Sequence, residues 1–190
     1  FRMRKGLPEH IILFVGTIEP RKNLVRLLQA FAMLRPSGDL PHHLVIGGGK
    51  GWMYEQVFAT VQELGLGDRV RFVGFVPQEE LADWLRAADL FVYPSLFEGF
   101  GLPPLEALAC GTPVIVSDIS SLPEVVGEAA LKVDPYRPEE MAAAMRRVLT
   151  DRALAAQLRA AGPQQAARFS WQRAAQETVS AYRYVLEQKV

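Results

Sequence analysis

The chain has 190 residues, of which 49% are hydrophobic and 22% are charged, a composition typical of one globular domain. This composition excludes disordered and collagen-like classes. Because 21 basic residues balance 21 acidic ones, no net charge attracts the chain to nucleic acid. The single cysteine, Cys110, excludes an internal disulfide and a cysteine-based zinc site. With three histidines, two of them adjacent, we expect no metal ligands.

Short apolar segments alternate with longer amphipathic ones. The predicted strands are residues 11–17, 43–49, 69–74, 89–94, 112–118 and 129–135. The predicted helices between them are residues 23–34, with Asn23 as N-cap, 54–65, 77–88, 103–111 and part of 120–127. Three more helices are predicted over residues 138–151, 152–162 and 171–188.

Strands that are apolar on both faces and alternate with helices predict a parallel sheet covered on both sides. The fold class is therefore α/β, a Rossmann-like, doubly wound sheet of six parallel strands with C-terminal helices. We assign residues 1–150 to the Rossmann-like domain and 151–190 to a helical tail of the same domain.

Ligands of such sheets bind where the strand order reverses, at the carboxyl ends of the strands. For the order 3-2-1-4-5-6, that place lies between the first and fourth strands. The loops that follow Val15 and Tyr93 should therefore form the site, and they contain the most unusual residues of the chain.

The first of these loops ends in two adjacent cations, Arg21 and Lys22, just before a helix. A helix N-terminus already carries partial positive charge, so these side chains predict an anionic ligand such as a diphosphate. Two alternatives remain open: both are solvated surface cations, or Glu19 pairs with one of them.

The second loop places Glu98 and Glu106 on either side of a glycine-flanked turn. Carboxylates only accept hydrogen bonds, so both suit hydroxyl-rich partners such as a sugar and a ribose. The backbone amides of Phe100, Gly101 and Leu102 could hold an anion at the N-terminus of the helix, here called the helix mouth. In the alternative interpretation, Glu98 is a loop charge and Glu106 merely complements the helix dipole.

Other motifs are weak or missing. The glycines at 47–49 either cradle a phosphate or sugar or simply end a strand. The chain has no G-x-G-x-x-G after its first strand, no P-loop, no nucleophile elbow and no D-x-D pair. We therefore expect a diphosphate to be neutralised without a metal ion.

The segments GTIEPRKNLVRLLQAF, EGFGLPPLEALACGTPVIVSD and SSLPEVVGEAALKVDP resemble the C-terminal half of family 4 GT-B glycosyltransferases. The resemblance spans roughly residues 7–186 and includes the family's E-x7-E element, here Glu98 to Glu106. It implies a retaining, nucleotide-sugar-dependent enzyme. GDP-mannose is the first donor expected, because the chain is most similar to mannosyl- and rhamnosyl-type transferases.

The resemblance also implies roles for individual residues. Arg21 and Lys22 match the pair that binds the donor diphosphate, Glu98 the glutamate near the reacting sugar carbon, and Glu106 the one that holds the ribose. The remaining matches are Gly16 beside the phosphates, Val76 with its backbone at the nucleobase, and the amides of Phe100, Gly101 and Leu102 at the sugar and distal phosphate.

The family's N-terminal, acceptor-binding domain is absent from this chain. We therefore expect a donor-binding half that is inactive alone, from a cytoplasmic enzyme of polysaccharide or glycolipid synthesis that is peripheral to the membrane. The alternatives are a GT-B sugar-nucleotide epimerase, a non-catalytic nucleotide-binding module and a scaffold that binds no nucleotide.

The last predicted helix has an apolar stripe at helical spacing: Trp171, Ala175, Thr178, Val179, Tyr182, Val185 and Leu186. It either packs on its own domain or, as the resemblance implies, crosses to the absent domain. In the second case we expect self-association of the isolated chain, or a mobile segment at residues 171–190.

Overall fold

The computed structural model describes residues 1–34 and 40–188, so the last two residues of the predicted tail lie outside the described residues. Six parallel strands form one sheet in the order β3-β2-β1-β4-β5-β6. The strands are β1 (Ile11–Val15), β2 (His43–Gly47), β3 (Val70–Gly74), β4 (Leu90–Tyr93), β5 (Val114–Ser117) and β6 (Leu131–Val133). The predicted fold class and strand order are confirmed.

Within the described ranges, eight α-helices accompany the sheet, and a short 3₁₀ turn occupies Pro20–Lys22. The helices are α1 (Leu24–Ala32), α2 (Glu55–Glu63), α3 (Gln78–Ala87), α4 (Leu102–Ala109), α5 (Leu122–Val126), α6 (Pro138–Thr150), α7 (Arg152–Ala166) and α8 (Trp171–Glu187). Helix α1 contacts α2 and α6, α4 contacts α3, α5 and α7, and α6 contacts α7, so helices α1 to α7 form one connected set.

The central strands of the sheet are buried on both faces. The first four residues of β1 are at most 1% exposed although their side chains alternate between the two faces, as Ile12, Leu13 and Phe14 illustrate. Central strands of this kind require apolar residues at every position, which explains the continuous apolar runs of the sequence.

Helix α7 is longer than its sequence predicts. The predicted end at residue 162 is wrong, since the helix continues through Pro163 to Ala166. Its packing explains the extension, because Gly162 lies so close to α4 that a Cβ there would stand 2.7 Å from the carbonyl oxygen of Leu108. A close helix–helix contact thus holds α7 in place and outweighs the hydrogen bond lost at the proline.

Helix α8 differs from the others because it has no buried residue. Trp171 is 79% exposed, and Tyr182 and Leu186 are each 68% exposed. The interpretation that α8 packs on its own domain is therefore wrong. Among the described residues, no helix is long and apolar enough to cross a membrane.

Candidate functional site

The two loops predicted to form the site do meet. Strands β1 and β4 are direct neighbours, with Ile12 opposite Leu90, so the loops that leave their carboxyl ends run side by side. The backbone N–H of Leu96 donates to the carbonyl oxygen of Arg21 at 2.8 Å, and the Arg21 guanidinium donates to the carbonyl of Phe97 at 2.8 Å. Backbone and side-chain hydrogen bonds thus fix one loop against the other.

Asn23 is the N-cap residue of α1, as predicted, but its side chain does not cap the helix. Its backbone is left-handed, with φ 60°, and its side chain makes no capping hydrogen bond. Instead, the buried Asn23 amide donates to the carbonyl oxygens of Pro94 at 3.1 Å and Pro135 at 2.8 Å. The residue therefore ties the loop after β1 to the loops after β4 and β6.

Arg21, Lys22 and Glu98 form one ion-pair cluster. A single oxygen of Glu98, Oε1, lies 2.6 Å from Lys22 Nζ and 2.9 Å from an Arg21 guanidinium nitrogen. Arg21 also pairs with Glu19 at 2.6 Å, which confirms the alternative that Glu19 has a cationic partner. Two cations and two carboxylates therefore balance one another within the cluster.

The two cations differ in exposure. The Arg21 side chain is 39% exposed, whereas that of Lys22 is 7% exposed. The alternative that both are solvated surface cations is therefore wrong for Lys22. Lys22 can be buried because its ammonium group has hydrogen-bond partners on β4 and on the loop that follows β4. These partners replace the water that the group loses.

Tyr93, the last residue of β4, is a member of the site that the sequence did not indicate. Its buried hydroxyl accepts a 2.5 Å hydrogen bond from Lys22 Nζ. Burial, together with the negative charge of Glu98, raises the pKa of Tyr93, so the phenol stays protonated. Its position at the carboxyl end of a strand beside the switch point is the signal that could have identified it.

Glu98 stays ionised in this surrounding. Burial by itself would raise the pKa of Glu98, but the hydrogen bond and charge of Lys22, with the charge of Arg21, lower it below its usual value. Two serines after β5 hold its backbone: Ser120 Oγ donates to the Glu98 carbonyl at 2.7 Å, and Ser121 Oγ does so at 3.0 Å. These serines are a second feature that the sequence did not indicate.

The second glutamate lies on a separate element. Glu106 is on α4, where burial raises its pKa while a hydrogen bond from Gln78 at the start of α3 acts in the opposite direction. The structure therefore does not include Glu106 in the ion-pair cluster of Arg21, Lys22 and Glu98.

The mouth of α4 presents backbone donors. The helix begins at Leu102, one residue before the predicted start, with Gly101 as a left-handed N-cap at φ 111°. Pro103 and Pro104 have no N–H group, so the donors at this end belong to Phe100, Gly101 and Leu102, as predicted. A side chain at Gly101 would place its Cβ 2.7 Å from a methyl carbon of Leu122.

The glycines after β2 have different surroundings. A Cβ at Gly48, where φ is +142°, would stand 1.9 Å from the carbonyl oxygen of Gly16, and one at Gly47 would stand 2.7 Å from a methyl carbon of the buried Val76. A Cβ at Gly49 would have no neighbour within 4 Å. Close packing therefore explains why glycine is needed at positions 47 and 48. The same contacts place Gly16 and Val76 near the carboxyl ends of the strands.

Residues 2–165 match the family of group 1 glycosyl transferases. The O-antigen chain mannosyltransferase B of Escherichia coli is 40% identical over 171 residues, which cover 90% of this chain and 45% of that protein. A D-inositol 3-phosphate glycosyltransferase of a Nocardioides species is 41% identical over 199 aligned residues, covering 96% of this chain and 43% of the relative.

A solved structure agrees with these relatives. The sucrose-phosphate synthase of Thermosynechococcus elongatus superimposes with a TM-score of 0.86 at 35% identity, covering 98% of this chain and 48% of that one. The chain thus spans about half the length of the relatives that it matches. Since the family match covers most of its residues, the chain belongs to the group 1 glycosyl transferases.

Proposed function

We propose that the chain is the donor-binding domain of a retaining glycosyltransferase. The complete protein would transfer a hexose from a nucleoside-diphosphate sugar to an acceptor hydroxyl. The observation that carries the proposal is the meeting of Arg21, Lys22 and Glu98 at the switch point between β1 and β4, where such sheets bind ligands.

The cations would stabilise the diphosphate that leaves during the reaction. Breaking the sugar–phosphate bond adds negative charge to the leaving diphosphate, and Arg21, Lys22 and the amides at the mouth of α4 would stabilise it. Preorganised donors of this kind each contribute roughly 3–4 kcal/mol to transition-state stabilisation. With these groups available, the proposed reaction needs no metal ion or other cofactor, and the diphosphate itself would take the acceptor proton on the same face of the sugar.

The remaining residues would orient the donor. Glu98 would accept hydrogen bonds from sugar hydroxyls near the reacting carbon, and Glu106 those from the ribose diol. The backbone beside Val76 would contact the nucleobase, and Gly16 would let the phosphates approach β1. The separation of Glu106 from the ion-pair cluster supports distinct roles for the two glutamates.

Mannose is the first sugar we propose, with GDP-mannose as donor. The support is the 40% identity to an O-antigen chain mannosyltransferase. The inositol phosphate glycosyltransferase has a similar identity of 41%. Sequence identity therefore supports glycosyl transfer more strongly than it supports mannose as the sugar.

We further propose that an N-terminal domain supplies the acceptor site, because this chain spans about half of its relatives. Closure of two domains would complete the site and exclude water, so this half alone should bind donor without transferring the sugar. A cytoplasmic protein peripheral to the membrane, acting in polysaccharide or glycolipid synthesis, fits such an enzyme.

Calorimetric titration of the chain with GDP, UDP and ADP tests the proposal. We expect one diphosphate to bind with one-to-one stoichiometry and the matching nucleoside to bind much more weakly. Sugar transfer by the full-length parent protein would then separate an enzyme from a nucleotide-binding module, which would bind without turnover. No binding of any nucleotide would contradict the proposed donor site.

A further inference from the structure

A second cluster of side chains that can bind a metal lies at the amino ends of the strands, at the opposite end of the sheet from the proposed donor site. His10, His42 and Asp89 each immediately precede a strand, namely β1, β2 and β4. Since these strands are parallel neighbours, their amino ends bring the three side chains together. One ligand atom of each residue lies within 4.8 Å of the ligand atoms of the other two.

The distances within the cluster are unsuitable for hydrogen bonds. His10 Nδ1 and His42 Nε2 both lie 3.7 Å from the same carboxylate oxygen, Asp89 Oδ2. Ligand atoms around a tetrahedral zinc ion are about 3.3 Å apart, as follows from bond lengths of about 2.0–2.1 Å. Each imidazole nitrogen would therefore move by a few tenths of an ångström relative to Asp89 to share one ion, and the ligand atoms of the two histidines, which lie within 4.8 Å of each other, would also draw closer.

The state of His42 is consistent with a metal ligand. Its side chain is 8% exposed, and the nitrogen that faces the cluster is Nε2, which approaches the same Asp89 oxygen as His10 does.

Asp89 has a structural role that does not account for the histidines. Its Oδ2 atom accepts a 2.8 Å hydrogen bond from the backbone N–H of Ile11, and its Oδ1 atom lies 3.5 Å from an Arg2 guanidinium nitrogen. These contacts orient the carboxylate, as outer contacts orient the ligands of metal sites. They do not explain why two imidazoles point at the same oxygen.

We infer that His10, His42 and Asp89 form a binding site for a divalent transition metal, with Zn²⁺ as the ion that best suits two imidazoles and a carboxylate. The fourth position opens into a pocket of about 400 Å³, also lined by Arg152 and Arg159 of α7. Their positive charge disfavours a cation, so we expect micromolar rather than nanomolar affinity. This site is separate from the proposed donor site and departs from the expectation that the chain has no metal ligands.

Calorimetric titration of the untagged chain with ZnCl₂ tests the inference. We expect one ion per chain, and a rise in melting temperature of about 5–10 °C at a hundredfold excess over the dissociation constant. His10→Ala and Asp89→Asn should each weaken binding at least about tenfold, because even partners outside the ligand set change affinity by 10–100-fold. Asp89→Asn retains an oxygen that can accept from Ile11.

His43 provides the matched control, since it neighbours His42 but lies outside the cluster. His43→Ala should bind Zn²⁺ like the unmodified chain. Because His42 is buried, the inference does not depend on a folded His42 variant. Absence of zinc binding to the unmodified chain at 100 µM, or unchanged affinity of His10→Ala, would overturn the inference.

Discussion

Glu98 is the residue on which the charge balance of the candidate donor site depends. It pairs with both Lys22 and Arg21, while Glu19 takes the remaining side of Arg21. A diphosphate must therefore compete with Glu98 for the same cations. The unliganded site is neutralised by its own carboxylates, so its affinity for anions reflects an exchange of partners rather than the capture of free charges.

The two cations should be separable by conservative substitutions. We expect Arg21→Gln and Lys22→Met each to weaken nucleoside-diphosphate binding by about 10–100-fold, since a hydrogen bond to a charged group contributes about 1.5–3 kcal/mol. Calorimetric titration with the diphosphate that binds best gives the change. Arg26→Gln, on the adjacent helix α1, is a control that should leave binding unchanged.

The cations should also differ in their effect on folding. Lys22 is 6% exposed and bonds to Glu98 and Tyr93, so Lys22→Met should lower the melting temperature more than Arg21→Gln does. If both variants bind the diphosphate like the unmodified chain, the phosphate assignment is wrong.

Glu98→Gln and Glu106→Gln should have opposite effects on diphosphate affinity. The first substitution removes the competing carboxylate and should tighten binding, because Arg21 and Lys22 no longer have to exchange Glu98 for the diphosphate. The second removes an acceptor for the ribose and should weaken it. Competition titrations against a fluorescent nucleotide measure both.

Glu19→Gln is the control for this pair of variants. It removes a carboxylate from Arg21 but leaves Lys22 with Glu98, so its effect on affinity should be smaller than that of Glu98→Gln. Weaker diphosphate binding by Glu98→Gln would show that Glu98 does not compete for the cations.

At the scale of elements, the loops after β1 and β2 are held together by backbone contact. The N–H of Gly16 donates to the carbonyl of Gly47 at 2.9 Å, and that of Ile18 donates to the carbonyl of Gly49 at 2.9 Å. This ladder continues the sheet beyond its strands toward the cations. The loop that carries Arg21 and Lys22 is therefore positioned by β2 as well as by β1.

Two adjacent glycines test this arrangement. Gly48→Ala should destabilise the fold by about 2–4 kcal/mol, because the new Cβ would meet the Gly16 backbone and φ is unfavourable for alanine. Gly49→Ala meets no neighbour and should change stability by less than about 0.5 kcal/mol. Urea unfolding curves compare the two, and equal midpoints would contradict the close approach of the two loops.

The sequence was sufficient to predict the elements but not their side-chain partners. Apolar runs and glycine stops predicted the strands, because these depend on local patterning. The strand order followed from the usual topology of doubly wound sheets. The left-handed backbone at Asn23 and the passage of α7 through Pro163 depend on tertiary contacts that no local pattern reports. The burial of Lys22 likewise depends on Tyr93, which lies 71 positions away in the sequence.

At the scale of the whole molecule, the two ends of the strands carry different chemical groups. At the carboxyl ends lie the cations, the N-terminus of α4 and the glutamates proposed for the donor. At the amino ends lies the proposed metal site of His10, His42 and Asp89. An ion there would join the starts of three strands and stabilise the sheet without entering the donor site, so the two can be tested independently.

Helix α8 is the largest uncovered feature of the described part of the chain. Its stripe includes Trp171, Tyr182, Val185 and Leu186, each more than half exposed. Isolated apolar residues on a surface are ordinary, but a contiguous patch of several hundred Å² usually marks an interface. The resemblance implies that an N-terminal domain covers this stripe in the complete protein.

We therefore expect the isolated chain to dimerise through α8. Replacing Tyr182 and Leu186 together by glutamate should raise the dimer dissociation constant by about 100-fold or more, since each buried large apolar side chain contributes about 1.5–3 kcal/mol. The matched control replaces Ser180 and Tyr184 by glutamate, because both lie on the opposite side of the helix, with the same spacing of four residues, and should leave association unchanged. Light scattering over a range of concentrations measures the dissociation constant of each variant. A chain that remains monomeric at 100 µM would contradict this expectation, whether or not a protease cleaves within α8.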